Sequence, residues 1–417
     1  MKHVTTATVH ASRRAVGWVL LAGFWTTSGC SSDLPTRPGE PRAAGSLTQI
    51  TAGGWHSCAI AARGAGAGPQ LNVPAGLAVC WGRNDAGQLG IGSSSPATAE
   101  PTVVVGEHQF NRLTAGRRFT CGLTREGAAY CWGGGPAAGA AAPTLVSTAL
   151  TFATLSAGDA HVCGTTPDHA LYCWGANARG QLGDGSTVDR PQPTLVPGHA
   201  FQSVSAGGNH SCAVTPDQRA YCWGDNAAGQ LGLGFFEGTV GTPTAVPGPD
   251  FAVVAAGGSH TCGLTPTIRT GGKPAFCWGS NATGQLGTRS VPTATAQPVE
   301  VSSVLAFREI TTGAAHTCGI VHNFAFGDNQ AANNLGFCWG SNLVGQIGNE
   351  RSGVLQQTPD SVHLDAEFQA VAGGSNHTCA IAGNGGFCWG DNEFGQLGNG
   401  VAGFVAKPQL VVVGGAT

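Results

Sequence analysis

A repeated segment does most to limit what this chain can fold into. The segment of residues 206–232, AGGNHSCAVTPDQRAYCWGDNAAGQLG, occurs seven times with varying fidelity. Its constant points are Ala-Gly, a His-x-Cys, a Cys-Trp-Gly and a final N-x-x-G-Q-L-G. A period near 50 residues with Gly and aromatic marks is typical of β-propellers, in which each repeat forms one blade. The Cys-Trp-Gly anchors lie 42 to 61 residues apart and begin at Cys80, Cys131, Cys173, Cys222, Cys277, Cys338 and Cys388.

The composition between these anchors favours strands over helices. The chain has 67 glycines and only 10% charged residues, and no stretch past residue 30 has a sustained helical apolar period. We therefore predict an all-β fold for residues 46–417, a seven-bladed propeller of four-stranded blades. In the unit leading to Cys222 the predicted strands are residues 193–196, 201–205, 210–214 and 220–224.

The two ends of the repeat region predict how the ring closes. The first unit begins near Leu47 and lacks a preceding Pro-x-x-Val strand, whereas residues 407–413 form such a strand with no unit after it. We expect the C-terminal strand to pair with the first blade, which leaves no long edge exposed.

The cysteines past Cys30 divide into one pair per unit. Three pairs are ten residues apart, and a tight hairpin would place such cysteines opposite each other, as a disulfide requires. Zinc is the alternative, since His and Cys at i and i+2 share one face of a strand, but no fourth ligand recurs. We predict no metal or cofactor and seven disulfides: Cys58/Cys80, Cys121/Cys131, Cys163/Cys173, Cys212/Cys222, Cys262/Cys277, Cys318/Cys338 and Cys379/Cys388.

The other repeated residues have predicted framework roles. Trp223 follows Cys222 directly, so its indole should face away from the disulfide and pack against the next blade. The repeated Asn and Gln of the tail should hydrogen-bond the inter-blade turn, and the repeated histidines should be buried structural groups.

The N-terminus has the features of an export signal. Basic residues precede an apolar run at 15–25, and Cys30 follows Ser28-Gly29, which resembles a bacterial lipoprotein signal apart from Thr27 in place of an aliphatic residue. We expect residues 1–30 to be a signal, Cys30 to be lipidated, and residues 31–45 to be a flexible tether. The predicted location is the cell envelope, at the outer membrane or cell surface; secretion with cleavage elsewhere is the alternative.

The motifs AGxxH and WGxNxxGQLG resemble those of the regulator of chromosome condensation repeat family over residues 46–417. The resemblance implies a seven-bladed propeller, and the added Cys pair resembles an extracytoplasmic bacterial branch. The second unit departs most, with Phe119 in the His position and GGPAAGAAAPT after Trp132-Gly133. The family's namesake catalyses nucleotide exchange on a small GTPase, but no residues here match that role.

The repeated residues have predicted framework roles, so the function has to be inferred from other features of the sequence. The chain has no G-x-S-x-G, H-E-x-x-H or P-loop, and its scattered arginines and three lysines do not form a nucleic-acid footprint. We predict a monomeric, non-enzymatic, surface-anchored scaffold that binds a protein. The alternatives are an inhibitor that caps a hydrolase, an exchange-type regulator by family analogy, and an enzyme built from loops.

The departures from the repeat predict the binding surface. Three hairpins between paired cysteines are long, at residues 63–79, 265–276 and 321–337, and their shared position in the unit puts them on one face. Tolerated insertions are the alternative. Phe235 and Phe236 form a second departure, either as a recognition site or packed on the propeller edge. The candidate contacts in the hairpins are Leu71, Val73, Ile268, Arg269, Lys273, Phe324, Phe326 and Asn329.

Overall fold

The protein folds as seven four-stranded antiparallel sheets, as predicted. The computed structural model describes residues 47–62, 74–137, 139–236, 238–266, 273–291, 293–303, 305–322, 334–383 and 385–411. These residues form 28 strands and one short 3₁₀ helix at Gly135–Ala137. No helix in these ranges is long and apolar enough to cross a membrane.

Each blade takes its strands from one continuous segment. Blade 1 has β1 (Leu47–Ala52), β2 (His56–Ala61), β3 (Ala78–Arg83) and β4 (Ala97–Val103). Blade 2 has β5 (Phe110–Ala115), β6 (Phe119–Thr124), β7 (Ala129–Gly133) and β8 (Ala140–Leu145). Blade 3 has β9 (Thr154–Ala157), β10 (His161–Thr165), β11 (Leu171–Gly175) and β12 (Arg190–Leu195). Blade 4 has β13 (Ser203–Ala206), β14 (His210–Val214), β15 (Ala220–Asp225) and β16 (Thr239–Ala245).

The remaining three blades follow the same order. Blade 5 has β17 (Val253–Ala256), β18 (His260–Leu264), β19 (Ala275–Ser280) and β20 (Ala294–Glu300). Blade 6 has β21 (Phe307–Thr312), β22 (His316–His322), β23 (Asn334–Asn342) and β24 (Val354–Ser361). Blade 7 has β25 (Phe368–Gly373), β26 (His377–Ala382), β27 (Gly385–Gly390) and β28 (Val405–Leu410). The first strands of successive blades contact one another around the axis.

The blade boundary differs from the predicted one. Residues 193–196 were predicted to belong to the unit leading to Cys222, but β12 pairs with β11 of the preceding blade. The reason is the glycine after each Cys-Trp. Gly224 has a φ of 108° at a bulge in the β15–β16 pairing, and the loop after it brings the chain back beside β15. The Pro-containing strand therefore ends a blade and does not begin one.

Ring closure also differs from the prediction. The C-terminal strand β28 pairs with β27 inside its own blade, and blade 1 has its own outermost strand β4, so the predicted pairing with the first blade is wrong. Blades 7 and 1 instead meet face to face, with Leu47, Ile50 and Trp81 packed against Ile381 and Leu397. A strand exchange is not needed because every segment already supplies four strands.

The outermost strands are edges, and each carries a proline. Proline cannot donate a ladder hydrogen bond, so it limits pairing with another sheet. The residues are Pro101, Pro143, Pro193, Pro243, Pro298, Pro359 and Pro408.

Candidate functional site

The contact between consecutive blades, here called a seam, buries the disulfides and the tryptophans together. Cys212 and Cys222 are paired directly across β14 and β15 and form a disulfide, which packs against Trp278 of blade 5. Trp223 likewise packs against the disulfide of blade 3. All seven predicted disulfides are confirmed. The indole contacts the preceding blade, not the next one as predicted.

In six of the seven seams a polar triad crosses the seam beside this contact. His210 Nε2 lies 2.8 Å from Thr261 Oγ1 of the next blade, and that hydroxyl donates to the Gln230 carbonyl at 2.8 Å. Because the Thr261 hydroxyl donates its proton to the backbone carbonyl of Gln230, its oxygen must accept the hydrogen bond from His210. The neutral imidazole therefore carries its N–H on Nε2. The other His–hydroxyl–Gln triads are His56–Thr120–Gln88, His161–Ser211–Gln181, His260–Thr317–Gln285, His316–Thr378–Gln346 and His377–Ser57–Gln396.

The six histidines are therefore neutral framework groups. Their Nδ1 atoms are buried without a hydrogen-bond partner. Burial lowers the pKa to about 4 for His56, His161 and His316, and to about 3 for the other three, where neighbouring histidines add to the shift. Within the described ranges, no three His, Cys, Asp or Glu residues group as metal ligands.

The repeated amides also act within the ring, as predicted. Asn226 Oδ1 accepts from Leu231 N at 3.1 Å, and Gln230 Oε1 accepts from Ala228 N at 2.9 Å. Leu231 is fully buried beside Trp278. The constant residues of the repeat thus form the contacts that hold the turns and blades together.

The Ala-Gly turns meet at the propeller axis. Their backbones form hydrogen bonds from blade to blade around the whole ring, beginning with Gly54 N to Gly116 O at 3.2 Å and closing with Ser375 N to Gly53 O at 3.1 Å. A Cβ on Gly53 would lie 2.6 Å from Gly116 O and 2.5 Å from the His56 ring, so only glycine fits. The turns enclose an axial cavity of about 100 Å³, in which Arg117 and Asp159 are the charged lining residues.

The strand directions divide the loops between two faces. The turn face carries the turns between first and second strands, such as Gly53–Trp55, and the loops between third and fourth strands, such as Asn226–Gly232. The hairpin face carries the hairpins between second and third strands and the connections between blades. All three long hairpins have their stems on the hairpin face.

Most of the predicted contact residues lie outside the described residues. These are Leu71, Val73, Ile268, Arg269, Phe324, Phe326 and Asn329, and Cys30 lies outside them as well. Lys273 is described, and its backbone exchanges two 3.0 Å hydrogen bonds with Phe307 of the next blade. That pairing fixes the end of the blade 5 hairpin against blade 6.

The structure does not bring Phe235 and Phe236 together with the hairpins, because they lie on the turn face. They are 45% and 47% exposed. Asn226 Nδ2 donates to Phe235 O at 2.8 Å, and the Phe236 ring lies over the turn at Gly229. Each of the two residues is therefore about half buried.

One side-chain group on the turn face was missed by the sequence analysis. The Arg83 guanidinium lies 5.1 Å from the Trp55 ring centre and 4.9 Å from that of Phe394, and the Arg117 guanidinium lies 5.0 Å from Trp55. This group, here called the Arg–aromatic stack, joins blades 7, 1 and 2 beside the axial cavity. The sequence carried a signal, since no other unit has an aromatic residue at the position of Trp55 and every other unit has a smaller residue at the position of Arg117.

Comparisons with known proteins identify the repeat. Two models described as regulator of chromosome condensation (RCC1) repeat match the chain, one at residues 168–214, 217–264 and 275–320 and the other at 112–136, 152–181 and 201–230. No curated protein sequence matches significantly.

Solved structures share the fold at low sequence identity. Prp20p from Saccharomyces cerevisiae is 19% identical, with 81% of this chain and 82% of that chain covered at a TM-score of 0.68. Human WBSCR16 is 22% identical, with coverage of 79% and 93% and a TM-score of 0.66. The CRINKLY WD40 ectodomain of the Arabidopsis thaliana receptor kinase ACR4 is 22% identical, with coverage of 88% and 99% and a TM-score of 0.52. The chain is thus a seven-bladed propeller with a disulfide in each blade, and models of the regulator of chromosome condensation (RCC1) repeat match it within residues 112–320.

Proposed function

We propose that this protein is an exported, non-catalytic propeller that binds a protein partner and is anchored at the cell envelope through Cys30. The observation that carries the proposal is the use of the repeated polar residues. The histidines, glutamines and asparagines that a catalytic or metal site would draw on are engaged in the seams and turns. Specific contacts then fall to residues that break the repeat.

Three observations support export. All cysteines past Cys30 are in disulfides, which persist in oxidising compartments. The N-terminal sequence resembles a lipoprotein signal. A receptor-kinase ectodomain has the same fold.

The proposal that this chain binds a protein is supported by a known use of the same fold. Prp20p is described with its binding to Gsp1p and histones, and also in a complex with Kap60. Those partners belong to Prp20p. For this chain the proposal takes over only the use of a propeller as a platform for proteins.

The anchor is tested on the mature protein from its native envelope. Mass spectrometry of the N-terminal peptide should find an acylated cysteine at position 30. An unmodified N-terminus, or one that begins at another residue, would refute the anchor and leave the binding proposal to its own test.

The binding surface is tested by trimming the hairpins. Replacing residues 323–333 with a tight turn keeps the described ends of β22 and β23 and should weaken capture of the native partner at least tenfold. An interface of standard size buries roughly 800 Å² per partner, which a set of such loops can supply. The matched control replaces the short hairpin turn at Pro216–Asp217. Suppose that all three long hairpins are trimmed and that the fold stays intact. Unchanged capture of the partner would then show that the hairpin face is not the binding site.

Capture of a single hydrolase that loses its activity would instead favour the inhibitor alternative.

A further inference from the structure

The Arg–aromatic stack breaks the repeat with residues that the turns themselves do not require. At the position of Trp55, the second unit has Arg118, and the other five units have the smaller residues Ala160, Asn209, Ser259, Ala315 and Asn376. These small residues allow the same turn to form, so the turn does not require an indole. The stack also shares no residue with the triads, and it lies on the turn face, where Trp55 is partly exposed and Arg117 is exposed.

The geometry holds two guanidinium groups in fixed positions. Arg83 lies between the rings of Phe394 and Trp55, and its backbone N donates to Trp55 O at 2.8 Å. A Cβ on Gly54 would lie 3.0 Å from the Arg117 Cγ, so glycine at that position leaves room for the arginine stem. Stacked guanidinium groups have already lost much of their rotational freedom, which lowers the cost of binding an anion.

The charges around the stack leave Arg117 available. Asp85 accepts from Arg83 at 2.6 Å and from Arg118 at 3.1 Å, so it neutralises part of that pair. Among the described residues, no carboxylate lies within ion-pair distance of Arg117, which is exposed. Partial loss of solvent at the cavity wall raises the pKa of Asp159, and the positive charge of Arg117 opposes this shift. Asp159 is nevertheless exposed on the surface of the protein.

We propose that the Arg–aromatic stack binds one carboxylate side chain, Asp or Glu, presented by a protein partner at the mouth of the axial cavity. Arg117 would hold the carboxylate with its fork of N–H donors, and the apolar stem of the same side chain would lie against Trp55. A polyanion fits less well, because Asp159, Asp391 and Glu393 flank the stack and would repel its further charges. The site rests on the proposed protein-binding function but not on the long hairpins, which lie on the other face.

Trp55 provides a direct reporter. The chain past Cys30 has eight tryptophans, and seven of these are the buried Cys-Trp-Gly residues, whereas Trp55 is partly exposed. The experiment follows the indole N–H resonances of the ¹⁵N-labelled protein, with the Trp55 resonance assigned by W55F. The probes are the capped tripeptide Gly-Glu-Gly and its Gly-Gln-Gly counterpart. The Glu peptide should shift the Trp55 resonance and the Gln peptide should not.

Two variants distinguish a specific site at the stack from non-specific attraction of the peptide carboxylate to an exposed arginine. R117Q should weaken the Glu-peptide response at least fivefold, whereas R219Q, at an exposed arginine on the hairpin face, should leave it unchanged. Equal shifts with both peptides, or a full response in R117Q, would overturn the proposal. A stronger response to polygalacturonate than to the peptide would identify a polysaccharide site and overturn it as well. So would a dimer of the full chain that R117Q dissociates, because the occupant would then be a second copy.

The same variants distinguish this site from the proposed function. If R117Q abolishes capture of the envelope partner while hairpin trimming does not, the partner binds the turn face through its carboxylate. If trimming abolishes capture and R117Q retains it, the protein-binding function stands and this site is refuted. If the peptide responds but the wild-type protein captures no envelope protein, the site stands and the wider function fails.

Discussion

The seam between blades 4 and 5 and the seam between blades 2 and 3 solve the same packing problem with different chemistry. In the first, His210, Thr261 and Gln230 form a fully buried polar triad. In the second, the corresponding positions are Phe119 and Val162, which are 1% and 0% exposed and pack together with Trp174. Both seams keep the disulfide on one side and the tryptophan on the other.

The third member of the triad is replaced as well. In the regular seam, a Cβ on Gly279 would lie 3.1 Å from Gln230 Cα, whereas in the other seam a Cβ on Gly175 would meet Pro136 Cγ at 2.8 Å. Pro136, in the short 3₁₀ helix, thus stands where the glutamine backbone stands elsewhere. The donor and the relay hydroxyl are absent together, and a proline occupies the place of the glutamine. This joint replacement is physically reasonable, because removing one partner leaves buried polar groups unpaired while replacing all of them costs little.

The largest expected difference between the two kinds of seam is their response to acid. Six seams bury a neutral histidine whose pKa lies at about 3 to 4 in the folded protein and near 6.5 when unfolded. The unfolded chain therefore binds more protons below pH 6.5, so stability is full above that value and falls as the pH approaches the folded pKa values. Six such groups together would remove on the order of 10 kcal/mol between pH 7 and 5.

Urea unfolding at half-unit steps from pH 7.5 to 4.5 measures this loss. The histidine contribution is separated by H210F/T261V, which converts a regular seam to the apolar kind and should reduce the pH slope by about one sixth. A free energy of unfolding that is level between pH 7 and 5 would show that the seams are not proton-sensitive.

The disulfides test what the two regions share. Cys121/Cys131 in blade 2 and Cys212/Cys222 in blade 4 each close a loop with a sequence separation of 10. Replacing either pair with alanine should cost about 3 kcal/mol in the chain-entropy model, by the same amount in both blades. Denaturant unfolding of the two double variants measures the costs, and non-reducing peptide mapping checks that only within-blade pairs occur. A much smaller cost in blade 2 would mean that its hairpin is less ordered than that of blade 4.

How much the sequence could predict depends on whether a feature repeats within the chain. The seven blades, the disulfides and the buried histidines follow from local patterns that occur many times. The interpretation of one repeat therefore applies to every other repeat. The blade boundary could not be settled that way, because a repeat can be cut at any strand and only the hydrogen-bond register at Gly224 decides it. The Arg–aromatic stack was missed because Phe394 is far from Trp55 in the chain and becomes its neighbour only when the ring closes.

Single hydroxyl changes should separate the two seams by a smaller amount. T261V removes the relay hydroxyl and leaves the His210 N–H and the Gln230 carbonyl without that partner, which should cost about 2 kcal/mol. V162T adds a hydroxyl beside the side chains of Phe119 and Pro136, which have no polar atom to pair with it, and should cost about 1 kcal/mol. The free energy of unfolding of each variant at pH 7.5 measures both. If T261V were harmless, the triad would not contribute to stability.

The smallest expected effect is the coupling gained by rebuilding a triad in the apolar seam. F119H alone places a buried N–H opposite Val162, and V162T alone buries an unpaired hydroxyl, so both single variants should be destabilised. In F119H/V162T the new hydroxyl can accept from the new histidine, so the double variant should be more stable than the sum of the singles by about 1 kcal/mol. Full recovery is not expected, because Pro136 occupies the place of the glutamine backbone that accepts the hydroxyl proton in a regular seam. A double-mutant cycle at pH 7.5, with the histidine neutral, measures the coupling. Strict additivity would mean that Phe119 and Val162 are independent substitutions, not two parts of one joint replacement.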